Sequence, residues 1–290
     1  MAKFTKHERV RFPIPQRELE RRWDAVRAAM KAQNVDLLIA QNSHQFLGGY
    51  VRWFADVPAE HGYSITVLFP KDDEMSLISS GIPGQVGPPV YARRNVKEVI
   101  ALPYIRTMNH TDSLEPDATA AYIQARKGKK VGLISPANFS AVYYTELLKR
   151  LPQVEFVDFT NTIDEIKAVK SEDELAYIRK TVALQDDLVA AMPTIIRPGI
   201  FEYEVRQRIV KIAEERGGEE QLIMMSSAPA GTPAGHLNMH YQNRQIQSGD
   251  NVMVMIEVNG PGGFYTQVGR VWCFGQPSKE LVELWEIAWL

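Results

Sequence analysis

The sequence predicts an α/β protein, in its second part α+β, and three observations support this prediction. The chain has 290 residues, which is enough for two ordinary domains. Apolar residues make up 45% of the sequence and charged residues 23%, as in globular proteins. Strand-like and helical segments alternate over residues 1–160, whereas residues 161–290 are predicted as two helices, a sheet and a final helix. We therefore predict one domain over each of these two ranges.

The first domain is predicted to begin with a helix over residues 17–33, where Leu19, Trp23, Val26 and Met30 recur at helical spacing. Apolar runs with the length of buried strands follow at 35–40, 63–70, 75–79, 129–135 and 154–160. Two more helices are predicted between them, over 113–126 and 137–151. This alternation is typical of a compact α/β domain.

The second domain is predicted to open with a strongly helical segment over residues 161–196, which contains a capping box. Ser171 and Glu174 have the spacing at which the serine oxygen and the glutamate carboxylate bond the first N–H groups of a helix. This helical segment ends at Pro198–Gly199, and an acidic start predicts a second helix over 202–216. The remaining segments are a strand at 222–227, a Gly/Pro/Ala loop at 227–235, a hairpin at 249–272 and a helix from 278.

Charge and cysteine content exclude several classes of protein. The net charge of -2 gives no electrostatic reason for binding nucleic acid or an anionic membrane. The single cysteine, Cys273, allows no intrachain disulfide, which suits a reducing compartment. The polar start lacks an apolar signal core, and no stretch approaches the roughly 18 apolar residues of a membrane span. We predict a cytoplasmic protein without nucleic-acid or membrane partners.

Several strings in one collinear order resemble the creatinase, prolidase and aminopeptidase P family, the pita-bread hydrolases. IDEIKAVKSEDELAYIRKTVALQD (163–186) resembles the helix that opens the family's catalytic domain, and PGIFEYEV (198–205) continues the match. The hairpin GDNVMVMIEVNGPGGFYTQVGRVW (249–272) resembles the family's metal-binding hairpin. The resemblance implies a creatinase-like N-terminal domain, the N-terminal half of a pita-bread catalytic domain, and a homodimer. The family's remaining ligands would lie beyond residue 290, so we expect the catalytic domain to be incomplete in this chain.

Most members of this family hold two metal ions, with two aspartates supplied by the hairpin. Here the first ligand position falls on Ile256, or on Glu257 if the turn differs by one residue, and the second falls on Gln267. A dinuclear site needs several negative charges to offset its own. We therefore expect no metal cofactor. If Mn, Co or Zn were bound instead, Glu257 and Gln267 would be the candidate ligands.

The creatinase branch of the family works without metal, and its hairpin resembles GFYTQVGRV (263–271). In that branch a histidine acts as general acid and base, a role that suits imidazole because its unperturbed pKa lies near 6.5. His240 is the candidate catalytic residue, and His236 is a candidate substrate-binding residue. Either histidine could instead be an exposed loop residue or cap a backbone group.

Four further residues are candidates for substrate binding, each with a structural alternative. Tyr265 could donate a hydrogen bond to the substrate or pack in the sheet, and Arg270 could bind a carboxylate or pair with a structural acid. Arg52 and Trp53 lie in a segment that resembles the loop reaching the neighbouring subunit's pocket in creatinase-like dimers. They could equally be interface residues.

The sequence thus predicts a hydrolase that cleaves a carbon–nitrogen bond in a small amide, amidine or dipeptide-like molecule without a dinuclear metal site. Two alternatives remain open at this point. One is a metal-dependent Xaa-Pro dipeptidase or aminopeptidase, and the other is a catalytically inactive family member that acts as a binding protein.

Overall fold

The computed structural model describes residues 13–42, 49–57, 63–82, 93–103, 113–232, 234–235 and 238–289. The helices are α1 (Gln16–Ala32), α2 (Gly49–Ala55), α3 (Leu114–Ala125), α4 (Ala141–Arg150), α5 (Thr160–Ala168), α6 (Glu172–Ile195), α7 (Glu202–Glu215) and α8 (Lys279–Trp289). The strands are β1 (Leu37–Gln41), β2 (Thr66–Pro70), β3 (Met75–Ser80), β4 (Val96–Leu102), β5 (Lys130–Ile134), β6 (Glu155–Asp158), β7 (Glu220–Pro229), β8 (Asp250–Asn259) and β9 (Tyr265–Cys273). The chain is thus a mixed α/β protein, as predicted.

The molecule divides into two compact units, residues 1–174 and residues 175–290. The division falls within α6, where the polar start of the helix belongs to the first unit. The boundary predicted at residue 160 coincides with the start of α5, which packs against α1 and β5. No helix among the described residues is long and apolar enough to cross a membrane.

The first unit contains a six-stranded sheet in the order β4-β3-β2-β1-β5-β6. β1 pairs antiparallel with β2 and parallel with β5, so the sheet is mixed. Helices α3 and α4 cover one face and bury an apolar cluster that includes Ile39, Leu68, Ile123 and Leu147. The five strands predicted from apolar runs all lie in this sheet.

Strand β4 and helix α2 were not predicted from the sequence, each for a physical reason. β4 is an edge strand, and the Lys97 and Glu98 side chains that it exposes interrupt its apolar run. α2 has seven residues and is fully buried over Val51–Ala55, so it shows no amphipathic period. The single helical segment predicted after residue 160 is in fact two helices, α5 and α6.

The predicted capping box starts α6. The backbone N–H of Glu174 donates to the Ser171 hydroxyl at 3.1 Å, and the backbone N–H of Ser171 donates to the Glu174 carboxylate at 3.0 Å. Two donors that the helix end would leave without partners are thereby satisfied. This part of the prediction is confirmed.

The second unit contains an antiparallel sheet in the order β7-β8-β9. Alternate residues of β8, among them Val252, Val254, Ile256 and Val258, pack into one apolar cluster with residues of α6 and α7. This is the helical face of the sheet. The opposite face, called the distal face below, carries the side chains of Glu220, Leu222, Met224, Ser226, Ala228, Asn251, Met253, Met255, Glu257, Asn259, Tyr265, Gln267, Gly269, Val271 and Cys273.

Candidate active site

The hairpin predicted over residues 249–272 is present as β8, β9 and the turn between them. Its register pairs Glu257 directly with Gln267 and Met255 with Gly269. The turn passes through Gly262 and Gly263, both at positive φ, a conformation that glycine adopts without steric cost. The two strands are therefore fixed so that position 257 and position 267 share one face.

The candidate ligand positions on β8 point to opposite sides of the sheet. Ile256 is 1% exposed and belongs to the apolar cluster on the helical face. Glu257 is half-buried on the distal face, with Met255 two residues before it. Of the two positions that the resemblance offered for the first ligand, only Glu257 can therefore reach a group bound on the distal face.

Glu257, Gln267 and Met255 form one hydrogen-bonded group. The Gln267 side-chain amide donates from Nε2 to Oε1 of Glu257 at 2.8 Å and to Sδ of Met255 at 2.9 Å. The sequence analysis did not single out Met255. Strand alternation could have found it, since residues two apart on a strand share a face.

The side chains that this hairpin could offer as metal ligands do not fit a pair of divalent cations. They comprise one carboxylate, which already accepts a hydrogen bond, a neutral amide and a thioether, whereas hard divalent ions take several oxygen ligands with offsetting charge. Within the part of the chain that the structure describes, no three His, Cys, Asp or Glu side chains come together as a possible metal-binding group. We therefore derive no catalytic step through a metal at this hairpin.

Tyr265 lies on the distal face beside this group. Its hydroxyl donates to Oε2 of Glu220 at 2.8 Å. Burial and the neighbouring Glu220 carboxylate raise the pKa of Tyr265, so the phenol stays protonated at neutral pH. Its predicted role as a substrate hydrogen-bond donor remains a prediction, because the observed bond uses the phenolic proton.

Arg270 is exposed and opposite Val254, on the helical face of the sheet. Its Nη1 donates to the backbone oxygen of Gly269 at 2.7 Å, and it forms no ion pair with a described acid. The hairpin therefore does not bring Arg270 to the face that carries Glu257. Its predicted role in carboxylate binding stays a prediction.

His240 lies in the loop between β7 and β8 and is exposed. Two neighbours fix this loop: Asn238 pairs with Met225 of β7, and Gln242 donates from Nε2 to the backbone oxygens of Ile223 and Asn238 at 3.1 and 2.6 Å. The imidazole of His240 has no hydrogen bond to a described residue. His236 lies outside the described residues.

Arg52 and Trp53 lie on α2 in the first unit, and each is 7% exposed. Arg52 forms an ion pair with Asp56 at 3.2 Å. Trp53 packs edge-on against Phe54, and its ring lies under the guanidinium of Arg22. Their side chains are thus buried within their own unit, and their predicted place in a neighbouring subunit's pocket stays a prediction.

A buried polar network that the sequence analysis missed holds the start of β8. Arg244 donates to both carboxylate oxygens of Asp250 at 2.5 and 3.0 Å and to the Ser227 hydroxyl at 2.6 Å. Glu202 accepts from the backbone N–H and the hydroxyl of Ser227, both at 2.6 Å. Asp250 also accepts from the backbone N–H of Gln247 at 2.7 Å. The network joins α7, β7 and β8, so Asp250, at the start of the hairpin, is a structural residue.

Replacing Asp250 by asparagine is expected to destabilise the protein by about 2 kcal/mol at pH 7, because the buried side chain at position 250 no longer carries the charge that pairs with Arg244. Burial raises the pKa of Asp250, but Arg244 and the Gln247 N–H more than offset this, so the pKa lies below its usual range. The carboxylate therefore stabilises the fold above its unfolded pKa of about 3.9, and this contribution is lost as the pH falls further through the folded pKa. Urea unfolding at pH 7, 5 and 3.5 measures it.

The control for this variant is Asp187→Asn, because the ion pair of Asp187 with Arg216 is about half-exposed on both sides. We expect that change to alter the free energy of unfolding by less than about 0.5 kcal/mol. Equal losses in the two variants, or a loss in the Asp250 variant that does not shrink toward low pH, would contradict the structural role of Asp250.

Comparisons with known proteins agree with this fold. Residues 176–289 match metallopeptidase family M24. An uncharacterized hydrolase/peptidase of Sinorhizobium fredii is 25% identical over 276 residues, covering 92% of this chain and 68% of the relative. A probable dipeptidase of Mycobacterium tuberculosis is 27% identical over 125 residues, covering 43% of this chain and 32% of the relative.

Solved structures show the same architecture. An Xaa-Pro dipeptidase from Bacillus anthracis superposes with a TM-score of 0.69 at 18% identity, covering 93% of this chain and 69% of that chain. A dipeptidase from Mycobacterium ulcerans gives 0.67 at 18% identity, with 94% and 69% covered. The predicted resemblance and fold class are thereby confirmed: the chain has the pita-bread family's fold.

Proposed function

We propose that this chain, whose residues 176–289 carry the M24 family's domain, is a hydrolase that cleaves a carbon–nitrogen bond in a small amide, amidine or dipeptide-like substrate. We propose further that it does so without a dinuclear metal site at the hairpin. The observation that carries the second proposal is the hydrogen bond from Gln267 to Glu257, because it occupies the hairpin's single candidate carboxylate ligand with a neutral amide.

His240 is the proposed general acid and base. Its exposed imidazole has no hydrogen bond to a described residue, so its nitrogens are open to water and substrate. As base, the imidazole takes a proton from the water whose oxygen bonds to the substrate carbon. As acid, it returns that proton to the leaving nitrogen as the carbon–nitrogen bond breaks. Imidazole suits both steps because it can both accept and donate a proton in the neutral pH range.

A metal-dependent Xaa-Pro dipeptidase is the second candidate. It is favoured by the fold, since the structural neighbours include an Xaa-Pro dipeptidase. An inactive binding protein is the third, because a fold alone does not fix an activity. We also propose a homodimer, as the resemblance implies, and a cytoplasmic location, as the cysteine content suggests; light scattering on the purified protein tests the dimer.

Hydrolysis is expected to survive complete removal of divalent metal. The test screens small amides, amidines and dipeptides with the purified protein as its gene encodes it, before and after dialysis against chelator, alongside elemental analysis of the protein. We expect less than one equivalent of Mn, Co or Zn per chain and unchanged turnover. Two equivalents per chain, with turnover lost in chelator and restored by metal while the fold persists, would establish the dipeptidase instead.

A second arm of the same experiment tests the proton-transfer residue. His240→Asn is expected to lower turnover by about a hundredfold or more, the usual contribution of a positioned acid or base. Tyr241→Phe, at the exposed neighbouring position, is the control and should leave turnover unchanged. No turnover on any substrate class by the unaltered protein, expressed as its gene encodes it, favours the binding protein.

A further inference from the structure

The first unit contains a cavity of about 470 Å³ between the second half of α1 and the turn that joins β2 to β3. Small-molecule sites in proteins have volumes of roughly 300–1,000 Å³, so the cavity is large enough for a ligand. Its walls include Arg27 and Lys31 from α1, and Lys71 and Asp72 from the turn. The cavity shares no residue with the candidate active site, so what it binds does not depend on the proposed hydrolase activity.

Arg27 is fixed in this wall by two contacts that leave most of its donors free. Its guanidinium lies over the Phe69 ring, 4.6 Å from the ring centre. Its Nη2 donates to the backbone oxygen of Asp73 at 2.8 Å, whereas Nε and Nη1 donate to no residue in the described ranges. Because Nη2 has two N–H groups and uses one, a pair of adjacent donors remains. The ring and the backbone bond thus orient a planar fork that is still open to a ligand.

The charge of Arg27 is not fully compensated by the acids around it. Burial lowers the pKa of Arg27. The carboxylates of Asp24, Asp72 and Asp73 act to raise this pKa, but they do not offset the burial. Asp73 also bonds two other cations, each at 2.7 Å. An anion placed against the guanidinium would therefore add a favourable interaction that the protein itself does not supply.

Two lysines add positive charge to the same cavity. Lys31 follows Arg27 by four residues, so the two side chains lie on one face of α1. Lys31 is exposed and forms no ion pair with a described acid. Lys71 is paired with Asp36 at 2.6 Å. With Asp36 counted beside Asp72, three cations face two acids, so the lining has a surplus of positive charge and favours an anion.

The floor of the cavity is apolar. Met30 and Val35 line it, and both side chains belong to the fully buried core. Ala28, which is exposed, lies in the wall beside Arg27, and its small side chain leaves room there. A ligand with an apolar part gains free energy by covering such a floor while its charged group bonds the arginine.

From these features we infer that the cavity binds a small organic carboxylate with an apolar body. The carboxylate oxygens accept hydrogen bonds from the free donors of Arg27 and from the Lys31 ammonium, and the apolar body lies over Met30 and Val35. Phosphate could also accept from an arginine fork, but it has no apolar part to cover the floor. The ligand is therefore a carboxylate rather than an inorganic anion.

The test compares benzoate with benzamide, which has the same ring and a neutral amide, by calorimetric titration of the purified protein as its gene encodes it. We expect benzoate to bind about tenfold more tightly, because hydrogen bonds between two charged groups are the stronger ones. Inorganic phosphate should bind at least about tenfold more weakly than benzoate, since it lacks the ring. Equal affinities for benzoate and benzamide, phosphate that binds as tightly as benzoate, or no binding of benzoate at millimolar concentration would each overturn the inference.

Substitutions of Arg27 locate the carboxylate. Arg27→Gln should abolish the preference for benzoate and leave the affinity for benzamide unchanged. Arg27→Lys keeps the charge but not the planar fork, so it should retain part of the preference. The matched control is Arg206→Gln, at an exposed position of α7 in the second unit, which should change neither affinity. A preference for benzoate that survives Arg27→Gln would refute the site.

A substitution in the wall locates the apolar body independently of the charge. Ala28→Leu narrows the cavity at an exposed helical position, where leucine is a good helix former. It should weaken benzoate about tenfold, while acetate, which lacks the ring, is affected less. Unchanged binding of benzoate to this variant would show that the ring does not enter the cavity, and the inference would fail.

Discussion

Replacing Arg22 by methionine is expected to destabilise the first unit by about 4 kcal/mol, the effect of removing one partner from a buried ion network. The Arg22 side chain is 2% exposed, and all three of its guanidinium nitrogens have partners. Nε donates to Glu18 at 2.7 Å, Nη2 to Glu174 at 2.9 Å and Nη1 to the backbone oxygen of Trp53 at 3.0 Å. Methionine fills much of the same space but leaves two buried carboxylates facing each other.

The expected loss is large because neither carboxylate can move into water. The side chains of Glu18 and Glu174 are 1% and 2% exposed. Burial acts to raise the pKa of Glu18, but bonds from Arg21, Ser171 and Arg22 bring it below its usual range, so it is charged at neutral pH. Arg21 bonds both carboxylates, and its side chain is 39% exposed, so it compensates in part.

The control is Arg17→Met, on the same helix. Arg17 pairs with Asp173, but its side chain is 77% exposed, so its removal should leave the free energy of unfolding nearly unchanged. Urea unfolding measures both changes, and amide hydrogen exchange of α1 shows whether the loss is confined to the first unit. Similar effects of the two substitutions would show that the Arg22 network does not stabilise the unit.

The same network shows what sequence reasoning could and could not provide. The capping box was predictable, because Ser171 and Glu174 are three residues apart and a local rule connects them. The second role of Glu174 was not predictable, because its partner Arg22 lies 152 residues away. Local spacing identifies pairs within one helix, whereas a contact between distant segments exists only once the fold has brought them together.

The candidate site shows the same difference between features set by local spacing and contacts between distant segments. The two strands of the hairpin were predictable from alternation, and alternation also placed Glu257 and Ile256 on opposite faces. The bond between Glu257 and Gln267 depends on the cross-strand register, which the turn sets and the sequence alone did not fix. The network around Asp250 could not be predicted from the sequence. It joins α7, β7 and a loop, and the distances along the chain between the bonded residues follow no local rule.

The largest effect in the second unit is expected from Gly260→Ala, about 3 kcal/mol of destabilisation from overpacking. Gly260 opens the turn between β8 and β9 and lies against Thr181 of α6, which is fully buried. An added Cβ would lie 2.8 Å from Cβ and 2.9 Å from Cγ2 of Thr181. Non-bonded carbon atoms do not come this close without steric repulsion. The backbone at Gly260 has a φ of -94°, which alanine adopts readily, so the expected effect is steric alone.

This cause can be isolated with a double-mutant cycle and a second glycine. Thr181→Ala removes the Cγ2 and Oγ1 atoms, so the double variant should lose less than the two single variants together, by about 1 kcal/mol. Gly269→Ala is the control, because a Cβ there meets nothing within 4 Å and its loss of stability should stay below about 0.5 kcal/mol. Urea unfolding gives all four values. Additive losses at Gly260 and Thr181 would mean that the turn does not need the close approach to α6, and that the hairpin's position is set by its strands alone.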